Sequence, residues 1–448
     1  MSIYVADSEL FRDQFSTPEM RIIFDDRMTV QKWLDVEVAL ARAEAELGMI
    51  PAAAAEEIAG VGDAVDYDLA AMKAEMDRTS HPIVPLVRAM EEKCKGDAGG
   101  YIHWGATTQD IMDTGQILQI KDAWKVIADD LELLETKLAE LAREHRATPM
   151  AGRTHGQQAQ PVTFGYKVAV WLDEVRRHQV RMGEAAGRSF MGQFSGAVGT
   201  MAAIGEDGLA VQELMMAKLD LKVPNISWHV ARDTMAEIAF VMASVAGTMG
   251  KIAHEIFLMS KTELAEVEEP FPPGKVGSST MPHKRNPAIC ESVVALGKAA
   301  KYCVTPALEN LIAENERDKI GLQAEREYVA RLHGHTHAAV KKMVVLTAGL
   351  NVKADNMRRN LDITGGLMLS EAVMMALAPV LGRQEAHEII YEAAQKAAVE
   401  GRTMKEALGD VPAVMEKFSD TEIDAILDPA AYTGLSAAFV DRVLSAGE

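Results

Sequence analysis

The segment at 268–287, EEPFPPGKVGSSTMPHKRNP, concentrates side chains that could bind and activate an anionic substrate. Ser278 and Ser279 supply hydroxyl groups, and Lys284 supplies positive charge shortly before Asn286, which a proline follows. Asn followed by Pro is a typical helix start, and the unpaired N–H groups of a helix start attract anions. The segment therefore predicts a carboxylate-binding loop. On composition alone, a flexible basic loop without a site is the competing interpretation.

A second polar segment, AGRTHGQQAQP at 151–161, brings Arg153, Thr154 and His155 together. Histidine is the side chain best suited to proton transfer near neutral pH. A single histidine in a loop is also common for structural reasons, so the segment alone leaves both interpretations open.

A third polar segment, HWGATTQD at 103–110, contains Thr107, Thr108 and Gln109. Their neutral hydrogen-bond donors suit carboxylate oxygens. The same residues could form only a turn and a cap for the helix that follows, and taken alone the segment favours that interpretation.

These three segments interrupt a pattern of long helices. Between 110 and 145, apolar residues recur at alternating spacings of three and four, which is a heptad pattern typical of a long helix packed against partners. The positions are Ile117, Ile120, Trp124, Ile127, Leu131, Leu134, Leu138 and Leu141. Such a helix would be about 50 Å long. Further helices are predicted at 28–47, 68–76, 162–188, 230–266, 288–314 and 322–350, so the central half is expected to form a bundle.

Composition limits the classes of function. The net charge of −20 argues against a nucleic-acid-binding surface but permits a local positive pocket for an anionic substrate. The three cysteines lie outside any CxxC pair, so neither a disulfide framework nor a metal site is predicted. The N-terminus does not resemble a signal peptide, and no uncharged apolar run approaches the roughly 20 residues of a membrane span. We expect a cytoplasmic protein that does not bind membranes.

Three motifs resemble the sequence blocks of the fumarase/aspartase superfamily, in the same order along the chain. They are GATTQDIMDT at 105–114, GRTHGQQAQP at 152–161 and GSSTMPHKRNP at 277–287. The resemblance implies an all-α fold with an N-terminal domain at 1–104, a long five-helix bundle at 105–352 and a C-terminal domain at 353–448. It also implies a homotetramer with a twenty-helix core, active sites each shared by three subunits, and no cofactor.

The resemblance also implies roles for individual residues in a β-elimination. Ser278 would be the general base, acting as an alkoxide, with Ser279 the weaker candidate. Lys284 and Asn286 would hold the carboxylate that takes up negative charge, and His155 would either protonate the leaving group or orient the substrate. Further substrate contacts are expected from Thr107, Thr108, Gln109, Arg153, Thr154, Met281 and His229.

Features outside the three motifs indicate which enzymes of the superfamily this chain resembles most. WHVARD at 228–233 and SGAVGTMAA at 195–203 resemble the 3-carboxy-cis,cis-muconate cycloisomerases. Those enzymes carry Trp at the position of His155, whereas adenylosuccinate lyases retain His. Arg317 and Arg326 resemble the arginine pair that adenylosuccinate lyases use on their nucleotide, although Arg326 could equally form a surface ion pair.

The function expected from these resemblances is elimination of fumarate, or an analogue, from a succinyl compound such as an N-substituted aspartate. The substrate would be a small di- or tricarboxylate, and C–N cleavage is preferred over C–O or C–S cleavage. Adenylosuccinate lyase itself fits less well, because this chain has Gln14-Phe15-Ser16 where those enzymes carry an Arg-Tyr pair. The alternatives are a lactonising carboxymuconate cycloisomerase and a recruited structural protein, as some crystallins of this superfamily are.

Overall fold

The heptad pattern forms one unbroken helix, Thr108–Glu144, in the computed structural model, which describes residues 3–447. All eight apolar positions of the pattern are buried, and none is more than 7% exposed. The predicted helix is therefore confirmed. Its length follows from an apolar seam that keeps its register from Ile117 to Leu141.

The described residues form mainly helices, which confirms the predicted all-α class, with two small two-stranded sheets added. In chain order the helices are α1 Arg12–Phe15, α2 Pro18–Ile23, α3 Asp26–Glu46, α4 Ala52–Gly60, α5 Leu69–Thr79, α6 Val84–Lys93, α7 Thr108–Glu144, α8 Phe164–Ser189, α9 Gly208–Leu219, α10 Asp233–Met259, α11 Ala288–Tyr302, α12 Val304–Glu309, α13 Lys319–Ala348, α14 Ala354–Leu361, α15 Ser370–Leu381, α16 Arg383–Glu400, α17 Met404–Gly409, α18 Pro412–Met415, α19 Asp420–Ile426 and α20 Ser436–Ser445. The strands are β1 Pro149–Thr154, β2 Gln157–Thr163, β3 Val267–Glu268 and β4 Asn351–Val352.

Two predicted elements differ from the structure. The helix expected at 288–314 is divided into α11 and α12, because Pro306 has no N–H to donate to the carbonyl of Tyr302. The polar segment at 151–161, expected only to interrupt the helices, lies in an antiparallel hairpin of β1 and β2. His155 and Gly156 form its two-residue turn, both with positive φ (53° and 76°), as a tight hairpin turn requires.

The chain packs as two compact units. The first comprises Met1–Leu131, His178–Gly250 and Ser292–Lys341. Within it, α3 packs against α4 and α9, and His335 and His337 of α13 bind the N-terminal segment through Phe15 and Thr17. This unit contains the polar segment at 103–110.

The second unit comprises Glu132–Arg177, Lys251–Glu291 and Lys342–Glu448. It contains both sheets, and its C-terminal helices enclose an apolar cluster that includes Val373, Leu377 and Ile390. The hairpin and the loop at 268–287 both belong to this unit. The division into domains at 1–104, 105–352 and 353–448 remains a prediction.

Among residues 3–447, α10 is the one helix long and apolar enough to cross a membrane, judged by length and composition. Most of its apolar window, 72%, is buried inside the protein. Burial of this kind is typical of a core helix in a bundle.

Candidate active site

Asp110, in the first turn of α7, organises the polar segment at 103–110. Its carboxylate is completely buried and accepts four hydrogen bonds. The donors are the backbone N–H groups of Thr107 (3.0 Å), Ser195 (3.1 Å) and Gly196 (3.0 Å), and Nε2 of His229 (2.8 Å). This one side chain therefore fixes the threonines and the glycine-rich segment after residue 195 in a single arrangement.

His229 and Gln109 use their polar atoms inside the protein. His229 is 2% exposed, with Nε2 bonded to Asp110 and Nδ1 3.1 Å from Oγ of Ser227. Gln109 is 1% exposed, and its amide N–H groups donate to the His229 carbonyl (2.9 Å) and to Asp113 (3.1 Å). These hydrogen bonds hold both side chains in place, so the geometry supports a positioning role for each.

A buried ion network supports this arrangement. Arg232 donates to both carboxylate oxygens of Asp113 (3.0 and 3.1 Å) and to Glu325 (2.7 Å), and its guanidinium lies 5.0 Å from the ring of Trp228. Burial raises the pKa of Asp113, although Arg232 opposes that shift. Two carboxylates sharing one arginine make the network sensitive to loss of the cation.

Arg317 and Arg326, expected to contact substrate, line one cavity of about 300 Å³ together with Thr108. His81 and Lys319 also line this space, which we call the cationic cavity, so that it has four basic side chains. Among the described residues, no carboxylate lines it. Its other lining residues are Pro82, Gln109, Met112 and Leu322.

None of these basic groups forms an ion pair within the described residues. Arg317 donates to Oγ1 of Thr107 (2.7 Å), Lys319 lies 3.4 Å from the Ser80 carbonyl, and His81 is 3.1 Å from Oγ1 of Thr108.

Burial also disfavours the charged forms of two of the basic groups. It lowers the pKa of His81, as do Lys319, His103 and Arg317, and it lowers the pKa of Arg326. An anion in the cavity would relieve this unfavourable charge. Sequence reasoning missed His81 and Lys319, because neither belongs to one of the three motifs.

The hairpin of the second unit is fixed by Arg153. Its guanidinium donates two hydrogen bonds to Glu266 (2.9 and 2.5 Å), a fully buried carboxylate that also accepts from Asn360 (3.0 Å). Arg153 therefore anchors the strand. Thr154 and His155 lie exposed at the hairpin tip, where His155 forms no hydrogen bond with the described residues.

The loop at 268–287 is closed at its base by Glu269, which is 5% exposed. Its carboxylate accepts from the N–H groups of Ile289 (3.1 Å) and Cys290 (2.7 Å) at the start of α11, and Lys275 lies 3.3 Å away. The expected anion site at this helix start exists, but a carboxylate of the chain itself occupies these two N–H groups.

The remaining cations of the loop have different environments. Arg285 forms an ion pair with Glu268 and stacks over the ring of Phe271 at 4.7 Å, and Lys353 also binds Glu268 at 3.3 Å. Lys284 is exposed and has no carboxylate partner among the described residues. Asn286 and Lys284 both line a cavity of about 570 Å³ beside the loop.

The two serines of the loop are not equivalent. Oγ of Ser278 accepts hydrogen bonds from the N–H groups of Met281 (3.1 Å) and Thr280 (3.4 Å), and its side chain is half-buried. Ser279 is exposed and has no such donors. Donors directed at a hydroxyl oxygen stabilise negative charge on it, so the geometry favours Ser278 as the group that could be deprotonated. Met281 contributes through its backbone, and its side chain is 44% exposed.

The structure thus brings Thr107, Thr108, Arg317 and Arg326 together, and separately brings Ser278, Ser279, Lys284 and Asn286 together on one loop. Within the described residues, no hydrogen bond or ion pair joins His155 to that loop. No cluster of His, Cys, Asp and Glu with the arrangement of a metal site occurs in residues 3–447.

Comparison with known proteins gives consistent matches along the chain. Residues 12–301 match the family model described as Lyase, and residues 366–443 match the one described as Adenylosuccinate lyase C-terminus. An N-acetyl-S-(2-succino)cysteine lyase from Enterococcus italicus is 42% identical over 100% of this chain and 98% of its own. An adenylosuccinate lyase from Methanocaldococcus jannaschii is 40% identical over 96% and 94%. The crystal structure of 3-carboxy-cis,cis-muconate lactonizing enzyme from Pseudomonas putida superposes with a TM-score of 0.92, at 38% identity and 98% coverage of both chains.

Proposed function

This chain is an enzyme of the lyase family within the fumarase/aspartase superfamily, and from that premise we propose that it eliminates the substituent of a 2-substituted succinate and releases fumarate. The observation that carries the proposal is the loop geometry. Oγ of Ser278 is held by two N–H donors, while Lys284 on the same loop remains without a carboxylate partner. A base and a free cation side by side suit proton removal next to a carboxylate.

In the proposed reaction, the Ser278 alkoxide removes a proton from the carbon adjacent to a carboxylate. The electron pair moves into that carboxylate as an aci-carboxylate, and Lys284 and Asn286 stabilise its added charge. Collapse of this carbanion forms the double bond of fumarate and breaks the bond to the substituent. His155 donates the proton that the substituent takes up.

We propose that the substituent binds in the cationic cavity and carries an anion, because four basic groups and no carboxylate of the described residues line that cavity. An N-acylated cysteine joined through sulfur fits this requirement, and the relative from Enterococcus italicus is named for such a compound. We therefore propose an S-(2-succinyl) thiol bearing a carboxylate as the first substrate to test. Attachment through nitrogen, the preference from sequence, is the other arm of that test.

The experiment supplies purified enzyme with N-acetyl-S-(2-succino)cysteine, adenylosuccinate, argininosuccinate, aspartate and malate, and follows fumarate by ultraviolet absorbance. Equal amounts of fumarate and free thiol from the first compound would establish C–S elimination. Ser278→Ala should reduce turnover by about 10³-fold or more while the protein remains folded. Ser279→Ala is the matched control and should retain most activity; the reverse pattern would remove Ser278 from the role.

A carboxymuconate cycloisomerase is the second candidate, favoured by the match to the lactonizing enzyme. Such an enzyme would consume carboxymuconate, and the ultraviolet absorbance of that compound would fall without release of fumarate. His155 then needs no leaving group to protonate, so His155→Phe should leave lactonisation largely intact but slow an elimination.

The exposed position of His155 at the hairpin tip, without a hydrogen-bond partner among the described residues, supports a site shared between subunits of a homotetramer. Mixing inactive Ser278→Ala and His155→Ala proteins after partial dissociation should restore activity, because some sites would then receive both intact residues. A stable monomer with full activity would contradict this assembly.

A further inference from the structure

A second cavity of about 340 Å³ adjoins the cationic cavity in the first unit. Pro82, Met112, Leu322 and Arg326 line both spaces. The second space, which we call the apolar chamber, takes its apolar wall from Phe24, Trp33, Met76, Val329 and Ala330. Its polar lining residues are Asp26, Thr29, Asp113, Gln116, Gln119 and Glu325. Its volume is at the lower end of the range for small-molecule sites.

The buried acids in the chamber wall already have hydrogen-bond donors. Asp113 and Glu325 share Arg232, and Glu325 also accepts from Nε2 of Gln116 at 2.8 Å. Neither carboxylate therefore needs an occupant to supply a donor.

The remaining polar wall is similarly satisfied. Nε2 of Gln119 donates to the carbonyl of Ile23 (2.8 Å) and to Oγ1 of Thr29 (3.0 Å). Asp26, the one other acid in the lining, is exposed to solvent. A wall whose donors and buried acids are paired favours an apolar occupant, since such an occupant leaves no polar group unpaired.

We propose that the apolar chamber receives an apolar tail on the leaving group, such as the acyl chain of an N-acylated thiol or amine. The anion of the same leaving group binds in the cationic cavity. This inference rests on the proposed function, and it makes the chamber the determinant of substituent length.

Arg326 connects the two spaces. The methylenes of an arginine commonly pack against apolar surface while the guanidinium stays at a polar boundary. A leaving group with its carboxylate beside Arg326 and its acyl chain beyond it would satisfy both cavities at once. A leaving group with an anionic tail would place that charge in a wall that contains Asp26, Asp113 and Glu325, and would bind poorly.

The test measures binding of the leaving groups themselves, which have nothing to eliminate. N-acetyl-, N-butanoyl- and N-hexanoylcysteine are titrated calorimetrically into the wild-type enzyme. Each buried methylene should tighten binding by about fourfold, so hexanoyl should exceed acetyl by tenfold to about 250-fold.

Two phenylalanine variants on α13 locate the effect. Ala330→Phe fills the chamber and should reduce the dependence on chain length to within about threefold. Gln323→Phe places the same bulk on an exposed part of the helix and should keep the wild-type dependence. Met76→Ala enlarges the chamber and should shift the optimum to a longer chain.

Equal affinity for all three thiols in the wild-type enzyme, or an unchanged dependence in a folded Ala330→Phe protein, would overturn the chamber's role. Because binding is read without turnover, these results are distinct from failure of the proposed function. That failure would appear as normal chain-length dependence with no fumarate released from the succinylated compounds.

Discussion

Replacing Glu269 with alanine should loosen the base of the loop that carries Ser278, because three groups lose a shared acceptor at once. The carboxylate accepts from the N–H groups of Ile289 and Cys290 and lies 3.3 Å from Lys275. Hydrogen bonds to a charged group contribute about 1.5–3 kcal/mol each. Water will rehydrate part of the opened helix start, so we expect the loop base to lose roughly 2–4 kcal/mol.

The neighbouring Glu268 provides a matched control. It binds Arg285 and Lys353, whose side chains are 53% and 38% exposed, so solvent screens both ion pairs. Glu268→Ala should therefore cost at most about 1 kcal/mol. The two adjacent glutamates should thus differ in how much they stabilise the loop, because Glu269 caps a helix in a buried position and Glu268 pairs with solvated cations.

Hydrogen exchange of residues 270–290, read by mass spectrometry, distinguishes the two variants. Glu269→Ala should accelerate exchange there by roughly 30- to 900-fold, with helix α7 unchanged as the internal reference. Added acetate should bind the vacated helix start and recover part of the protection, together with part of the fumarate-releasing activity. Exchange in Glu269→Ala that matches Glu268→Ala would refute the assigned role.

Three further changes test other parts of the protein. Burial raises the pKa of Glu44 to about 8 from its ordinary value near 4.5, so its contribution to stability is present at low pH and lost as pH rises through 8. Relative to wild type, Glu44→Gln should therefore gain up to about 1.4 kcal/mol of unfolding free energy per pH unit between 5 and 8, and a constant difference would contradict this. Arg232→Met should lose about 3–5 kcal/mol in urea unfolding, because Asp113 and Glu325 would stay buried without a cation; a loss below 1 kcal/mol would show that the network is not needed. Arg317→Met should weaken calorimetric binding of N-acetylcysteine about tenfold or more and reduce its salt dependence, and unchanged affinity would exclude the cationic cavity as the anion site.

The long helices were predictable because burial repeats along them. Every apolar position from Ile117 to Leu141 in the heptad pattern is buried, so the spacing of apolar residues correctly indicated which side chains the folded protein buries. Pro306 marks the break between α11 and α12, but the sequence on both sides has helical composition, and a single helix was therefore predicted. The hairpin at 149–163 lacked both alternating hydrophobicity and the usual Asn-Gly or Asp-Gly turn, because a His-Gly pair makes its turn.

The sequence indicated which residues belong to the candidate site, but not which hydrogen-bond partners their side chains have. Motif resemblance selected Gln109, His229 and Arg153 as substrate contacts, yet their hydrogen bonds are used within the chain, on Asp113, Asp110 and Glu266. Which partner a donor binds depends on what tertiary folding buries beside it. Two of these contacts, His229 with Asp110 and Arg153 with Glu266, join residues more than a hundred positions apart, which spacing along the sequence does not reveal.

A net charge of −20 and an anionic substrate are compatible because the decisive cations are local. At physiological ionic strength the field of distant carboxylates is screened over about 8 Å, so the surface charge of the molecule contributes little inside a cavity. On the loop, Glu268 and Glu269 pair with Arg285 and Lys275, which leaves Lys284 as the uncompensated charge. Among residues 3–447, no acid lines the cationic cavity. Acids of the loop thus form ion pairs with Arg285 and Lys275, whereas the cations that we propose to bind substrate have no carboxylate partner among the described residues.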